Sequence, residues 1–212
     1  MTRIRTILTV FACIAGTAFV ALGSCQDAPR QVPTWGQQLP GKIVYVRNAG
    51  LGPELVQVSP DGTGELVLPT PSDAVAIIQP VWTDAGESVA FTGLTKGRWS
   101  RFRVDTADDT PAVTEGADAL QLVTVRGHGD DLLVETDGVF VVDPQGGPRL
   151  LVACDDSDHA SRACANVRWG PDKAFVVLQR CGADDDCEII VASREHQSSF
   201  VLATGKHPDW VW

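Results

Sequence analysis

The chain has 212 residues, 44% of them hydrophobic, and its 17 Lys and Arg against 27 Asp and Glu give a net charge of −10. That length supports one domain with a sizeable core. The acidic balance argues against nucleic-acid binding and against electrostatic adhesion to anionic lipid, because both need a basic surface.

Residues 1–24 carry the three parts of a secretory signal, expected as a helical signal peptide. Arg3 and Arg5 form a cationic start, no acidic residue precedes Asp27, and Ile7 to Leu22 is almost wholly apolar or small. An apolar run of about 16 residues is short for a membrane span, which needs about 20. The run ends Leu22-Gly23-Ser24-Cys25, which resembles the bacterial lipobox. That resemblance implies cleavage before Cys25, a diacylglycerol on its sulfur and an acylated (typically palmitoylated) amino group, leaving the protein lipid-anchored on the extracytoplasmic side of a membrane. Gln26, not Asp, follows the cysteine. In a Gram-negative host that favours the outer membrane. The mature chain would keep 15 basic residues against 27 acidic ones, a net charge near −12.

After a lipidated tether over residues 25–32, helical periodicity is hard to find. Short runs of Val, Ile, Leu and Phe recur between Gly, Pro and Asp turns, the pattern of strands. They have a period. Pro33-Thr34-Trp35 leads into Lys42 to Val46, Pro80-Val81-Trp82 into Ser88 to Thr92, and Val167-Arg168-Trp169 into Ala174 to Leu178, while Pro208-Asp209-Trp210 closes the chain. A weaker copy over Leu122 to Arg126 puts Val125 in the tryptophan slot, so the slots fall at 35, 82, 125, 169 and 210. A second motif follows each: a run such as Leu55 to Val58, a turn such as Ser59-Pro60-Asp61-Gly62, then Leu66 to Leu68. Val139 to Val142, Asp143 to Gly147 and Leu150 to Val152 repeat it; Phe102 to Val113 and Glu188 to Leu202 are looser versions.

These motifs resemble the TolB-like β-propeller repeats, relatives of WD repeats, over residues 33–212. The resemblance implies an all-β domain in which each repeat forms a small antiparallel sheet, its Trp wedges between neighbouring blades, and Asp-Gly turns supply the positive φ of tight hairpins. Trp35, Trp82, Trp169 and Trp210 are accordingly assigned to blade packing. Repeat three lacks the Trp, and repeat four has Ala192 to His196 where a Gly turn belongs. About four antiparallel blades are expected, with five tryptophan-slot strands to place. Either four blades close a small ring with one strand in surplus, or the sheets form an open arc whose exposed edges invite dimerisation. A β-sandwich with coincidental spacing is the alternative fold.

Cys13 would leave with the signal and Cys25 would carry lipid, so Cys154, Cys164, Cys181 and Cys187 remain. An even number outside the cytosol reads as disulfides. Three pairings are possible; the local ones, Cys154–Cys164 and Cys181–Cys187, are favoured. Asp155, Asp156 and Asp158 with Asp184, Asp185 and Asp186 are weak candidates for calcium, which takes six to eight oxygen ligands, against the reading of a solvated acidic rim. No other cofactor is expected. His128, His159, His196 and His207 fall in predicted loops and read as surface histidines outside any nucleophile motif, so the sequence leans away from an enzyme. Trp99, flanked by Arg98 and Arg101 at a hairpin between a first and a second strand, is the candidate partner-binding residue, because Trp and Arg are enriched in binding hot spots. The leading functional expectation is a cell-envelope protein-binding or scaffolding lipoprotein. The alternatives are a propeller enzyme or envelope glycan or peptide binder, and a subunit that completes an oligomeric propeller.

Overall fold

A computed structural model describes residues 31–106, 113–116, 131–135, 137–143, 147–154 and 162–211. The signal segment, Cys25, the repeat copy around Val125, Asp155, Asp156, Asp158, His128 and His159 lie outside the described residues. The strands are β1 (Lys42–Asn48), β2 (Pro53–Val58), β3 (Leu66–Leu68), β4 (Ala74–Thr83), β5 (Ser88–Thr95), β6 (Arg98–Asp105), β7 (Val113–Gly116) and β8 (Leu132–Val134). They continue with β9 (Gly138–Asp143), β10 (Gly147–Ala153), β11 (Ala163–Trp169), β12 (Phe175–Cys181), β13 (Cys187–Ser193), β14 (Ser198–Thr204) and β15 (Lys206–Val211). No helix among the described residues is long and apolar enough to cross a membrane.

The strands form four antiparallel sheets: β15-β1-β2-β3, β4-β5-β6-β7, β10-β9-β8 and β11-β12-β13-β14. They are called blades one to four in that chain order. Three of the four are up-and-down meanders of consecutive strands. Blade one instead takes its innermost strand from the C-terminus, with Lys42 opposite Val211 and Ile43 opposite Trp210. This resolves the surplus strand in the sequence pattern. The first tryptophan slot is no strand; Thr34–Gln38 is a 3-10 turn, because Pro33 and the Gly36 amide bonded to the Pro33 carbonyl bend the chain there. The slot strand at the other terminus fills the vacant place.

Burial distinguishes this arrangement from a sandwich, in which each sheet keeps one wet face. Four consecutive residues of β1, Ile43 to Val46, are buried. Ile43 and Tyr45 join a core with Val177, Ile189, Val191 and Leu202 of blade four. Val44 and Val46, on the opposite side of the same strand, join Ile77, Trp82, Phe91 and Phe102 of blade two. β13 behaves alike, sending Ile189 and Val191 towards blade one and Ile190 and Ala192 towards Val139, Val141 and Val152 of blade three. Sheets covered on both faces and radially stacked are propeller blades. Among the described residues, apolar cores join blades one and two, three and four, and four and one.

The tryptophans sit in these interfaces as the repeat implies. Trp82 and Trp210 are buried in the cores between blades one and two and between four and one, and Trp169 packs against the third core. Trp35 lies on blade four, stacked on Phe175 and edge-on to Phe200. Closure is tight at Gly41, whose φ is +92° and where a Cβ would stand 1.9 Å from the Val211 carbonyl oxygen.

Because Trp210 holds the closing strand, Trp210→Ala should cost about 3–4 kcal/mol, lowering the melting temperature by roughly 10 °C in a domain of this size. Differential scanning calorimetry measures it. A fall no larger than that of an exposed control, Leu51→Ala, would show that the closure does not depend on this ring.

Candidate functional site

The innermost strands β4, β11 and β15 share a backbone irregularity that composition does not reveal. Each ladder shifts register three residues before its tryptophan: between Ile78 and Val81, between Ala165 and Arg168, and opposite Val44/Val46 on the β15–β1 pair. The residues in the bulges, Gln79, Asn166 and His207, have φ of 50°, 51° and 53°. Left-handed backbone is costly for residues other than glycine, though Asn and His tolerate it better than most. Bulges re-aim side chains, and here three polar ones are turned towards a common cleft lined by Gln79, Pro80, Val81, Asn166, Arg168, His207 and Pro208. It lies where the inner strands of blades one, two and four meet, at the propeller axis.

The cleft's side chains are cross-linked. Asn166 Nδ2 donates to Gln179 Oε1 at 2.8 Å and lies 3.0 Å from His207 Nδ1, while the His207 backbone N–H donates to the same Gln179 oxygen at 2.7 Å. An amide nitrogen can only donate, so His207 Nδ1 must accept, which leaves the ring neutral with its proton on Nε2. Burial, reinforced by the positive charge of Lys206, likewise holds the His207 pKa below the ordinary histidine value. The expectation of a surface histidine is therefore corrected: His207 stands in a strand rather than a loop, because β15 is the innermost strand of blade one. Arg168 is 11% exposed. Its Nη1 donates to its neighbour's carbonyl, that of Val167, and its nearest carboxylate oxygen, Asp209 Oδ1, is 4.0 Å from Nε. Burial lowers the Arg168 pKa and Asp209 only partly restores it. Asp209 Oδ2 accepts the Trp82 backbone N–H at 2.9 Å, tying blade one to blade two. The Gln79 Oε1 atom is buried without a hydrogen-bond partner.

The residues singled out by sequence lie mostly on one end of the blades. Counted from the innermost strand, the Trp99 hairpin joins the second and third strands rather than the first and second, since the tryptophan-slot strand is itself the first. It turns through Lys96 and Gly97, both at positive φ, between paired Thr95 and Arg98, the two-residue turn favoured in hairpins. Trp99 is 42% exposed. Arg98 borders a groove with Pro71, Asp73, Lys96 and Ser100. Arg101 is half-buried, paired across the ladder with Thr92 and Gly116. Trp99 and Arg101 alternate with buried Ser100 and Phe102, so they face the other side of blade two.

Both local disulfides are present. Cys154–Cys164 links the end of β10 to β11, across blades three and four, and Cys181–Cys187 clips the β12–β13 hairpin. In that hairpin Asp185 accepts from Lys206 of blade one, so one carboxylate of the calcium candidates is engaged by a cation. Asp184 and Asp186 share the turn, and Asp155, Asp156 and Asp158 lie outside the described residues. The His196 ring stacks on Trp35.

No protein-family profile and no curated protein matches this sequence. Among solved structures, the chain is similar to an oligogalacturonate lyase in complex with manganese, at 16% identity over 71% of this chain and 48% of that one, with a TM-score of 0.28. It is similar to TolB from Acinetobacter baumannii at 11% identity over 81% and 66% of the two chains, TM-score 0.26, and to a chain of a nidogen/laminin complex at 12% over 78% and 62%, TM-score 0.27. The chain thus spans about half the length of the lyase. At such identities the likeness is one of fold alone.

The neutral His207 makes stability pH-dependent. Its folded pKa is depressed, so the unfolded chain binds the extra proton and folding stability falls as pH drops below about 6.5, the unperturbed histidine value. His207→Asn, whose amide oxygen can replace the Nδ1 acceptor and which tolerates positive φ, should flatten the melting-temperature profile between about pH 6.5 and 5. An unchanged profile would show that His207 is not the group responsible.

Proposed function

We propose that this protein is an exported, lipid-anchored module of a bacterial cell envelope that holds a protein partner on one face of its propeller. The carrying observation is the clustering of exposed apolar side chains. Leu51 in the β1–β2 hairpin, Val75 at the start of β4 and Trp99 beside the β5–β6 turn are 103%, 69% and 42% exposed, and all lie at the same end of the blades. Single exposed apolar residues are ordinary, but a group on one face marks an interaction surface. Short hairpins hold it without much ordering cost on binding, and the two disulfides clip loops at that same end. Disulfides fit the oxidising compartment to which the signal segment points. Lipid on Cys25 would supply the anchor, and a tether of about ten residues reaches roughly 30 Å from the bilayer.

In-cell crosslinking of the full chain, followed by capture and mass spectrometry, should recover one envelope protein. Trp99→Ala should cost about 2 kcal/mol of binding, close to 30-fold, without moving the melting temperature by more than about 2 °C. Recovery of only the protein itself, or capture unaffected by the substitution, would argue for self-assembly instead. Cys25→Ser should shift the protein from the membrane to the soluble fraction; retention on the membrane would refute lipid attachment at that residue.

A further inference from the structure

We propose that the axial cleft binds a carboxylate bearing a hydrogen-bond donor on the neighbouring atoms, as in an α-amido or α-hydroxy acid. Arg168 and His207 Nε2–H would donate to its oxygens, and Gln79 Oε1 would accept from the donor. The argument rests on which polar atoms are already used. In His207 the Nδ1 is committed to Asn166, so the ring offers the cleft a donor and no metal-ligating lone pair. In Arg168 the Nη1 reaches only the Val167 carbonyl, and its carboxylate neighbour stands at 4.0 Å, beyond hydrogen-bonding distance. A largely buried guanidinium so weakly paired is matched by a planar, bidentate anion. Among the described residues that line the cleft none is a carboxylate, hydroxyl or thiol, and the carboxylate beside it, Asp209, approaches Arg168 only to 4.0 Å.

The third group makes the complement more specific. Gln79 Oε1 is buried and unpaired, and an orphaned acceptor of this kind is costly unless something donates to it. It is aimed there by a left-handed backbone, with φ of 50°, repeated at Asn166 and His207, and such strain persists where the surroundings hold a side chain in place. A cation is disfavoured, because Arg168 lines the cleft and Lys206 adjoins it. The cleft has room for about one water-sized group. It adjoins, through shared His207, a wider groove lined by Val46, Pro53, Val75 and Ile77. One carboxylate oxygen can enter the cleft while the rest of the molecule lies at its mouth and in the groove; a sugar ring cannot enter. The ligand is therefore either a free small acid or the C-terminus of a peptide, and the wider groove, where Asn48 and Lys206 stand beside the apolar side chains, serves the second.

Calorimetric titration of the full chain in detergent with N-acetylglycine should give saturable binding in the millimolar range or tighter. Acetate, which lacks the donor, should bind several-fold more weakly, and N-acetylglycinamide, which lacks the carboxylate, should not bind. A pentapeptide with a free C-terminus binding more tightly than N-acetylglycine would identify a chain end; equal affinities would identify a free acid. Arg168→Gln should weaken N-acetylglycine about tenfold or more, as expected for a lost charge-assisted bond. His207→Asn, which keeps the Asn166 bond and removes Nε2–H, should weaken it several-fold with the melting temperature held. Should Arg168→Gln fail to fold, Arg168→Lys keeps the charge, loses the planar fork and should still bind more weakly. No saturable binding of N-acetylglycine by the native chain up to about 50 mM, or equal binding of its amide, would overturn the proposal.

Discussion

The structure depends on one pairing, that of the last strand with the first. β15 lies against β1 from Lys42/Val211 to Val46/Lys206, so residues at opposite ends of the described chain share a sheet. Non-local pairings carry the largest loop-closure cost and repay it only when side chains lock them. Here the lock is Trp210, buried in the core between blades one and four with its Nε1 donating to the Pro40 carbonyl at 3.1 Å. A second lock is polar: Asp209 on the same strand receives the Trp82 backbone N–H. One strand thereby fixes blade one against both of its neighbours. It also carries His207 to the axis, where the strand meets Asn166 and Gln179 of blade four. Closure and cleft have the same cause.

Much of this was legible in the sequence because the repeat is written in residues of fixed chemistry. Tryptophans at a near-constant interval, Asp-Gly turns and alternating apolar runs specify blades directly. Cys181–Cys187 was legible because the two cysteines end strands that must pair in a hairpin, and Cys154–Cys164 because the two are close in sequence. The mode of closure was not. Five tryptophan slots for four blades leave one in surplus, and only Pro33 and Gly36 hint that the first would curl into a turn. The axial bulges were less legible still. Gln79, Asn166 and His207 share no chemistry beyond polarity, and none is a glycine, the usual mark of positive φ. What they share is position, three residues before a tryptophan. The only companion signal is the Pro that follows Gln79 and His207. His207 reads as a loop residue because its side chain tolerates left-handed backbone in loops and in bulges alike.

The tryptophans show how one repeat position serves different ends. Trp169 donates to Asp131 Oδ1 of the neighbouring blade at 3.0 Å, and Trp35 donates to Ser198 Oγ at 3.1 Å. Trp82 has a buried Nε1 without a partner, and its ring instead takes Lys42 Nζ over its face at 6.0 Å. Leaving a buried indole N–H unpaired costs about 1–3 kcal/mol, which the apolar core around Val89, Phe91 and Phe102 must offset. The apolar wedge is thus the common function of the slot, and the polar edge of each indole is settled locally.

The same division separates the two faces of function proposed for the molecule. Apolar contacts between blades are insensitive to protonation, whereas the axial network of Asn166, Gln179 and His207 is satisfied in only one tautomer of one charge state. Each Asn166 amide hydrogen has its acceptor and each acceptor has its donor, so the network specifies a single arrangement at the price of tolerance. A protonated His207 would set two donors against each other across 3.0 Å. The outer face, with Trp99 on a turn fixed by Lys96 and Gly97, carries no such constraint and can vary its side chains without disturbing the ring. Recognition at the axis is consequently bound to the integrity of the closing strand, while recognition on the outer face is not. Substitutions that separate a loss of binding from a loss of folding must therefore be read differently at the two places: at Trp99 by an unchanged melting point, and at Arg168 and His207 by replacements that keep each residue's structural bond and remove only the donor offered to the cleft.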